Sequence, residues 1–414
     1  MPEINPTQSL NRKEKLSLVF ILAGLVAVTP FTIDAYMPAF GSMAQFFAVD
    51  FHTIELTVSI FFIGSAFGQL LFAPYSDRIG RRPVLFTALI LYLMATFCII
   101  VSSSINQLLI FRFLQAVACG CVSVTGLAIV RDLFNEQDSA RMISAVSTIM
   151  MAAPFAAPFI GAGLLALFNW QAIFWFLLAY CFIVIFLMIW KLPETIIDRE
   201  TLTWTTAKQI SFGSIDKFKV VFSNQGAMVY LACLTFCSAW LLLYLTDAAF
   251  IYLEYFGVSQ KLFPFLFGSV AIAVIVANFI NLKLLKYFHA RRIFQKSVWA
   301  HFILTACLLL YIQLPTLNLW ITFGLILVTQ SCLHLVTANG MANYLSYYSD
   351  NSGSATAIFG TMRFLFGGLM GVLLSFIHNK TLLPFAGMTF LCLIVAFVIS
   401  FKLDLRPIEE IQKL

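Results

Sequence analysis

Two charged residues inside long apolar runs are the first candidates for chemistry in this sequence. Asp34 lies near the end of the apolar run from Ser17 to Phe40, and Arg112 lies within a later run. A charged side chain in a hydrocarbon-spanning segment costs several kcal/mol unless it faces protein or water, so such residues are functional by default. We therefore take Asp34 and Arg112 as the candidates for a polar site inside a membrane.

The chemistry that this pair suggests is proton binding and release. Burial raises the pKa of a carboxyl group, and a nearby guanidinium lowers it. An acid whose neighbours change with conformation would therefore gain and lose a proton near neutral pH. Arginine stays charged and cannot carry the proton, so the expected role of Arg112 is to tune the acid. The alternative is a static ion pair that fixes the first helix against the fourth.

The composition places both residues in a polytopic membrane protein. Of the 414 residues, 61% are hydrophobic, only 11% are charged, and 44 are Phe, which is far from the composition of soluble chains. A membrane-spanning helix needs about 20 mostly apolar residues. Twelve such runs are predicted, at 17–38, 54–74, 84–103, 107–130, 142–166, 170–190, 226–252, 262–284, 293–313, 317–345, 355–378 and 382–402. The predicted fold class is therefore all-α, with 12 transmembrane helices.

The positive charges predict how these helices are oriented. Twenty-one of the 25 Lys and Arg residues fall on the side that holds both termini, whereas Lys261 and Lys380 fall on the opposite side. Cytoplasmic loops carry an excess of Lys and Arg, so both termini are expected in the cytoplasm. The first run is too long for a signal-peptide core. The scattered charges give no reason to expect a nucleic-acid partner.

A polar interval divides the runs into two blocks of six. The predicted domains are an N-terminal six-helix bundle at 1–190, a cytoplasmic central linker at 191–225 and a C-terminal six-helix bundle at 226–414. Two such bundles are typical of transporters with a substrate site between them at the middle of the membrane. All nine Cys lie in apolar runs without metal-ligand spacing, so no metal site is predicted.

A short charged segment follows the second run. Asp77 is followed there by Arg78 and Arg81, Gly80 permits a left-handed turn, and Pro83 can open the next helix. The simple interpretation is a positive-inside loop. The sharper interpretation is a latch between helices, formed by Asp77, Arg78, Gly80 and Arg81, that opens and closes during transport.

Four segments resemble signatures of the major facilitator superfamily. They are Ser76-Asp77-Arg78-Ile79-Gly80-Arg81-Arg82-Pro83, Arg112-Phe113-Leu114-Gln115, Ala153-Pro154-Phe155-Ala156-Ala157-Pro158-Phe159-Ile160-Gly161 and Asp34-Ala35-Tyr36-Met37-Pro38-Ala39. The second and third are similar to signatures of proton antiporters. Ala stands where Gly is usual at three positions: 73, just before the first segment, 116, just after the second, and 157, within the third. The fourth resembles the bicyclomycin-resistance branch of the drug:proton antiporters with 12 membrane helices.

This resemblance implies the major facilitator fold and a proton-driven exporter of small amphipathic molecules in the bacterial cytoplasmic membrane. It implies no enzyme activity and no cofactor, because the proton gradient supplies the energy, and the fold needs no more than a monomer. Residues carried over from the family are Asp34 and Arg112 for proton coupling, and Pro154, Pro158 and Gly161 for the fifth-helix signature.

Polar and aromatic residues in other runs are predicted to line the substrate cavity. The predicted cavity residues are Tyr36, Gln115, Tyr244, Asp247, Asn339 and Arg363. Several alternatives stay open here. Asp247 is expected either to neutralise Arg363 or to leave it for a substrate, Asn339 either lines the cavity or bonds across helices, and Glu55 is either a solvated interfacial acid or a second proton site.

The arginines also support a second function. Forked guanidinium donors bind carboxylates, so Arg112 and Arg363 together would suit an exporter of an endogenous anionic metabolite, such as a carboxylate siderophore. A channel or a sensor that transports nothing is a third class, and it needs no titrating acid.

Overall fold

The described part of the chain is helical throughout. The computed structural model describes residues 12–133, 136–196, 219–348 and 352–403, and these contain no strand. Eleven helices among the described residues are long and apolar enough to cross a membrane. The remaining predicted run, 142–166, lies in a longer helix of which Ala152–Leu167 is a shorter apolar segment. These findings confirm the all-α class and the twelve helical runs.

Seven helices and one turn make up the first half of the chain. They are α1 (Arg12–Asp34), a 3-10 turn (Met37–Ala39), α2 (Phe40–Phe47), α3 (Phe51–Arg78), α4 (Arg81–Ile100), α5 (Ile105–Leu133), α6 (Glu136–Leu167) and α7 (Gln171–Lys191).

Six further helices with described bounds lie in the second half. They are α8 (Gln225–Ala249), which continues into a π-helical stretch (Phe250–Tyr255), then α9 (Phe263–Leu284), α10 (Ala290–Ile312), α11 (Leu319–Leu345), α12 (Ser352–Ile377) and α13 (Leu383–Ser400).

The helices form because the bilayer leaves the backbone few alternatives. Hydrocarbon offers no hydrogen bonds, so a spanning segment must satisfy its own N–H and C=O groups. The outward faces are apolar for the same reason. On α7, Phe182, Phe186 and Trp190 are all more than half exposed, which suits contact with lipid.

The chain separates into two compact units. The first comprises Met1–Asp216 and Thr246–Ala271, and the second comprises Lys217–Leu245 and Ile272–Leu414. The predicted boundaries at 1–190, 191–225 and 226–414 stay a prediction. Residues 197–218 of the predicted linker lie outside the described residues.

In the first unit, α3 and α5 pack with their backbones in close approach. A Cβ atom on Gly120 of α5 would lie 2.2 Å from the carbonyl oxygen of Ser65 on α3 and 3.0 Å from the Cα of Gly68. Small residues allow such approach between membrane helices. This crossing holds the face of α5 that carries Arg112 beside α3.

The crossing predicts an asymmetry between two glycine substitutions. Gly120→Ala inserts a methyl group against backbone that cannot move aside, so we expect it to lower the free energy of unfolding by about 1–3 kcal/mol. Gly163→Ala on α6 is the control, because nothing lies within 4 Å of its Cβ position. Thermal unfolding in detergent measures both, and an equal Tm for the two variants would contradict the close packing.

Candidate functional site

The first membrane span is continuous in hydropathy but broken in structure. Hydropathy joins Ser17–Phe47 into one span, whereas α1 ends at Asp34 and α2 begins only at Phe40. Pro38 occupies the first turn of the 3-10 segment between them, a position where the missing N–H of proline does no harm. Asp34 therefore lies at a helix break, and broken helices carry the ligand-binding groups of many transporters.

Helix α6 packs directly against this break. A Cβ atom on Gly161 would lie 1.7 Å from the carbonyl oxygen of Ala35, so only glycine fits. Pro154 and Pro158 are in the same helix, about two turns and one turn before this contact, respectively. The fifth-helix signature predicted from the sequence thus meets the residue next to Asp34, through Gly161.

The carboxyl group of Asp34 is buried and incompletely satisfied. The residue is 3% exposed, and its Oδ1 has no hydrogen-bond partner among the residues that the structure describes. Within the described ranges, no Lys or Arg forms an ion pair with it. The alternative of a static Asp34–Arg112 ion pair is therefore wrong for this structure.

Arg112 is fully buried and is held by other groups. Its Nη1 donates to Gln115 Oε1 at 2.7 Å and to the carbonyl oxygen of Thr32 at 3.4 Å. Its guanidinium carbon lies 4.2 Å from the ring centre of Tyr36 and 4.8 Å from that of Phe61, within the range of cation–π attraction. Its Nε and Nη2 have no hydrogen-bond partner in the described part of the chain, so two donor nitrogens stay available.

The amide of Gln115 extends this site into α4. Its Nε2 donates to Thr96 Oγ1 at 2.7 Å, and the Thr96 hydroxyl donates to the carbonyl oxygen of Tyr92 at 2.6 Å. All three side chains are buried. The sequence predicted Gln115 as a cavity residue, and the structure brings it into direct contact with Arg112.

A second hydroxyl chain returns to α1. Tyr92 Oη lies 2.7 Å from Thr32 Oγ1, and the Thr32 hydroxyl donates to the carbonyl oxygen of Val28 at 2.6 Å. A hydroxyl has one hydrogen. Because Thr32 gives its hydrogen to Val28, the phenol of Tyr92 must donate to Thr32. This chain ties α4 to the turn of α1 that precedes Asp34.

The hydroxyl group of Tyr36 is also held by a threonine whose hydrogen goes to a backbone carbonyl. Its Oη lies 2.7 Å from Thr57 Oγ1, whose hydrogen goes to the carbonyl oxygen of Ile54 at 2.5 Å. Its ring is fully buried against Phe40 and Phe174. The sequence predicted Tyr36 as a residue of the substrate cavity, and in the structure its ring stacks on Arg112.

The result is a buried site with few unfilled hydrogen-bonding positions. The hydrogens of Thr32, Thr57 and Thr96 all go to backbone carbonyls, whereas Asp34 retains an unfilled acceptor and Arg112 retains two unfilled donors. A buried polar atom without a partner costs free energy. The site is therefore suited to take up a proton, water or a polar group of a substrate.

The first unit holds a second buried acid on α3. Glu55 is 1% exposed, and its Oε2 lies 3.1 Å from Nδ1 of His52. The interpretation of Glu55 as a solvated interfacial acid is therefore wrong, and a proton-site role stays a prediction. Asp247 is also buried and belongs to the same unit. The adjacent Thr246 contacts Ser59 of α3 at 3.5 Å.

The second unit holds the other predicted cavity residues. Tyr244 is buried and stacks on Trp240, with ring centres 5.6 Å apart. Asn339 donates to Asn281 Oδ1 at 2.7 Å, so it does bond across helices, from α11 to α9. Arg363 is half-buried beside Phe364, and its Nε has no hydrogen-bond partner. Asp247 and Arg363 fall in different units.

The predicted latch is a connected ionic cluster in the first unit. Arg81 pairs with Asp77 through Nη1, donates to Ser76 Oγ at 2.8 Å, and donates through Nε to Asp132 Oδ2 at 2.9 Å. Arg78 is the last residue of α3. Gly80 has φ = 120°, a conformation that glycine adopts without strain. Movement of the latch during transport stays a prediction.

Glu194, just beyond α7, completes this cluster. Its carboxylate accepts from the backbone N–H groups of Arg81 and Arg82 at 3.0 and 3.1 Å, and from those of Thr195 and Ile196 at 2.9 and 3.1 Å. The first N–H groups of a helix lack partners within the helix, and the helix dipole favours an anion there. Glu194 therefore caps α4.

Sequence reasoning missed two sets of residues that the structure brings to these sites. Thr32, Tyr92 and Thr96 were passed over because single hydroxyl residues are common in apolar runs. Asp132 and Glu194 were passed over because their contacts link distant parts of the chain. The signal available for these acids was charge balance, since a loop with three arginines needs acidic partners nearby.

The cap makes a prediction about Glu194. Glu194→Gln removes the negative charge at the N-terminus of α4, and we expect a loss of about 1–2 kcal/mol in the free energy of unfolding. Asp50→Asn is the matched control, because Asp50 also lies at a helix N-terminus, that of α3, but its side chain makes no capping hydrogen bond. Thermal unfolding in detergent compares them, and an equal loss in both variants would count against the cap.

The fold and this site define a class of protein: a polytopic α-helical membrane protein that carries buried charges at a broken helix, as transporters do. The sequence profile of the Major Facilitator Superfamily matches residues 21–372. The chain therefore belongs to the major facilitator superfamily, whose members are transporters and not enzymes. It is a multi-pass transporter that works in a lipid bilayer on a small-molecule substrate.

Two relatives match nearly the whole chain. An uncharacterised MFS-type transporter of Bacillus subtilis, YdgK, is 27% identical over 98% of this chain and 99% of its own length. A bicyclomycin resistance protein homologue of Haemophilus influenzae is 24% identical over 96% of this chain and 99% of its own. The chain is similar to these proteins, which fits the drug:proton antiporter branch suggested by the sequence.

Solved structures show the same fold. The xylose transporter XylE of E. coli, in a partially occluded inward-open conformation, superposes with a TM-score of 0.70 and 11% identity, over 94% of this chain and 98% of that one. At this identity the likeness concerns the fold alone.

Proposed function

We propose that this transporter is a proton-coupled antiporter that exports small amphipathic molecules across the bacterial cytoplasmic membrane by alternating access. The proton gradient drives it without a cofactor. The chain works as a monomer, with both termini in the cytoplasm. Asp34 is the coupling acid and Arg112 tunes it.

The observation that carries the proposal is the buried carboxyl group of Asp34, whose Oδ1 has no hydrogen-bond partner among the described residues. An ionised carboxylate in a dry interior is costly unless a cation or hydrogen-bond donors compensate it. Because no Lys or Arg of the described ranges pairs with Asp34, the compensating group is a proton, water or the cationic part of a substrate. Proton and cationic substrate then compete for one carboxylate, which is the requirement for antiport.

The relatives support the choice of substrate class. Besides the bicyclomycin resistance homologue, the chain is 28% identical over 54% of its length to the multidrug resistance protein D of Escherichia coli. Compounds of this kind are amphipathic and need a pocket with apolar walls and a few polar anchors. Apolar surface is supplied by the rings of Tyr36 and Phe61, and a polar anchor by Arg112.

Neutralising Asp34 tests the coupling directly. In Asp34→Asn the side chain keeps its size but cannot bind a proton, so we expect the release of protons on addition of tetraphenylphosphonium to detergent-solubilised protein to fall to the level of the buffer. Efflux from vesicles driven by a proton gradient should fall with it, while membrane insertion is unchanged.

Asp50→Asn is the control, because it removes an exposed carboxyl group from the same half of the chain. It should release protons like the wild-type protein. Full proton release by Asp34→Asn would show that Asp34 is not the coupling acid.

The second candidate is export of an endogenous anionic metabolite, such as a carboxylate siderophore. Two arginines favour it, because two nitrogens of Arg112, Nε and Nη2, and the Nε of Arg363 have no hydrogen-bond partner among the described residues. Guanidinium groups with free donors bind carboxylates through paired hydrogen bonds. Such a substrate would use the same proton coupling at Asp34.

Replacing Arg363 separates the two candidates. If the leading proposal holds, Arg363→Gln should retain tetraphenylphosphonium efflux within about twofold, because a cation gains nothing from a guanidinium. Citrate is the polycarboxylate probe in parallel assays. Loss of citrate export in the variant, with citrate transported by the wild-type protein, would favour the anionic substrate instead.

A further inference from the structure

The orientation of the Gln115 side-chain amide, which hydrogen-bonds to Arg112, can be worked out from its partners. Gln115 has an amide with one accepting and one donating end, and only the accepting end can bind a guanidinium. The group that fixes the orientation of this amide therefore decides whether Arg112 can donate a hydrogen bond to Gln115. In this structure the other end of the amide contacts Thr96 on α4.

We propose that Thr96 is a positioning residue for proton coupling, which fixes the Gln115 amide with its oxygen toward Arg112. The inference rests on the proposed function of Asp34 and Arg112, and Thr96 acts in it only through Gln115.

The orientation follows from counting hydrogens. The single hydroxyl hydrogen of Thr96 goes to the carbonyl oxygen of Tyr92 at 2.6 Å, so Oγ1 can only accept. The group 2.7 Å away must then be the NH₂ of Gln115, which turns Oε1 toward Arg112 Nη1 at 2.7 Å. A backbone atom of α4 thus sets the direction of the whole chain.

Burial makes this control strict. Thr96, Arg112 and Gln115 are each 0% exposed, so bulk water cannot substitute for a lost partner. If the amide rotated, its NH₂ group would face the guanidinium and leave donors opposed to donors. Arg112 would then lose the shorter of its two hydrogen bonds and rely on Thr32 and the rings of Tyr36 and Phe61.

Three variants of the full-length protein test the role. Thr96→Val keeps the shape and removes the hydroxyl, whereas Thr96→Ser keeps the hydroxyl. Thr329→Val is the matched control, because Thr329 is equally buried but its hydroxyl bonds only to the Leu325 carbonyl of its own helix, at 2.7 Å.

The first measurement does not depend on transport. With ¹⁵N-labelled glutamine, the side-chain amide signal of Gln115 is identified by its loss in Gln115→Ala. We expect this signal to shift and to exchange faster with water in Thr96→Val, and to keep its wild-type position in Thr96→Ser and Thr329→Val. An unchanged signal in Thr96→Val overturns the inference.

The second measurement is proton release on addition of tetraphenylphosphonium. Thr96→Val should reduce it by about twofold to tenfold, the factor for one net hydrogen bond, and Thr96→Ser should restore it. The double variant Thr96→Val/Gln115→Ala should be no worse than Gln115→Ala, because both changes break one chain. Additive losses, or an equal loss in Thr329→Val, overturn the role.

The two proposals fail in different ways. Wild-type proton release by Asp34→Asn contradicts the proposed function whatever Thr96 does. A normal Gln115 amide in Thr96→Val contradicts the positioning role even when Asp34→Asn is inactive.

Discussion

The first unit depends on one constraint, which is that the buried guanidinium of Arg112 must be held without a carboxylate beside it. Two aromatic faces, one carbonyl and one amide do this, and they come from α1, the break that follows it, α3 and α5. The close approach of α3 and α5 at Gly120 and the chain through Thr96 bring these groups together. No carboxylate of the described residues pairs with Arg112, so the proton exchange proposed for Asp34 would not have to break an ion pair.

Arg81 shows the opposite solution for a similar side chain. At the end of the membrane helices it has two carboxylates and a hydroxyl as partners, and Glu194 fills the N–H groups of the helix that begins there. A cluster in which the charged groups pair with one another joins helices, whereas a charged group that lacks partners can bind a proton or a ligand. The two arginines therefore differ in how many of their donor nitrogens lack a hydrogen-bond partner. This difference distinguishes a structural cluster from a candidate coupling site.

The helices, the two charged residues Asp34 and Arg112, and Gln115 as a site residue could be predicted from the sequence, because each leaves a local signal. A charge in an apolar run is conspicuous, and a spacing of three residues places two side chains on one face of a helix. Sequence reasoning did not reach Thr96 or Glu194. A threonine in an apolar helix satisfies itself on its own backbone, so its second contact is invisible until a neighbouring helix is in place.

The sequence by itself determined that this chain crosses the membrane in about a dozen helices and that Asp34 and Arg112 are its exceptional residues, since hydrocarbon permits one backbone solution and tolerates few charges. Only the tertiary structure decided how those charges are satisfied. The contacts of Gly161 with Ala35, of Gln115 with Thr96 and of Glu194 with Arg81 join distant parts of the chain. Hydrogen bonds act over about 3 Å, so such pairings are set by helix packing and not by local pattern.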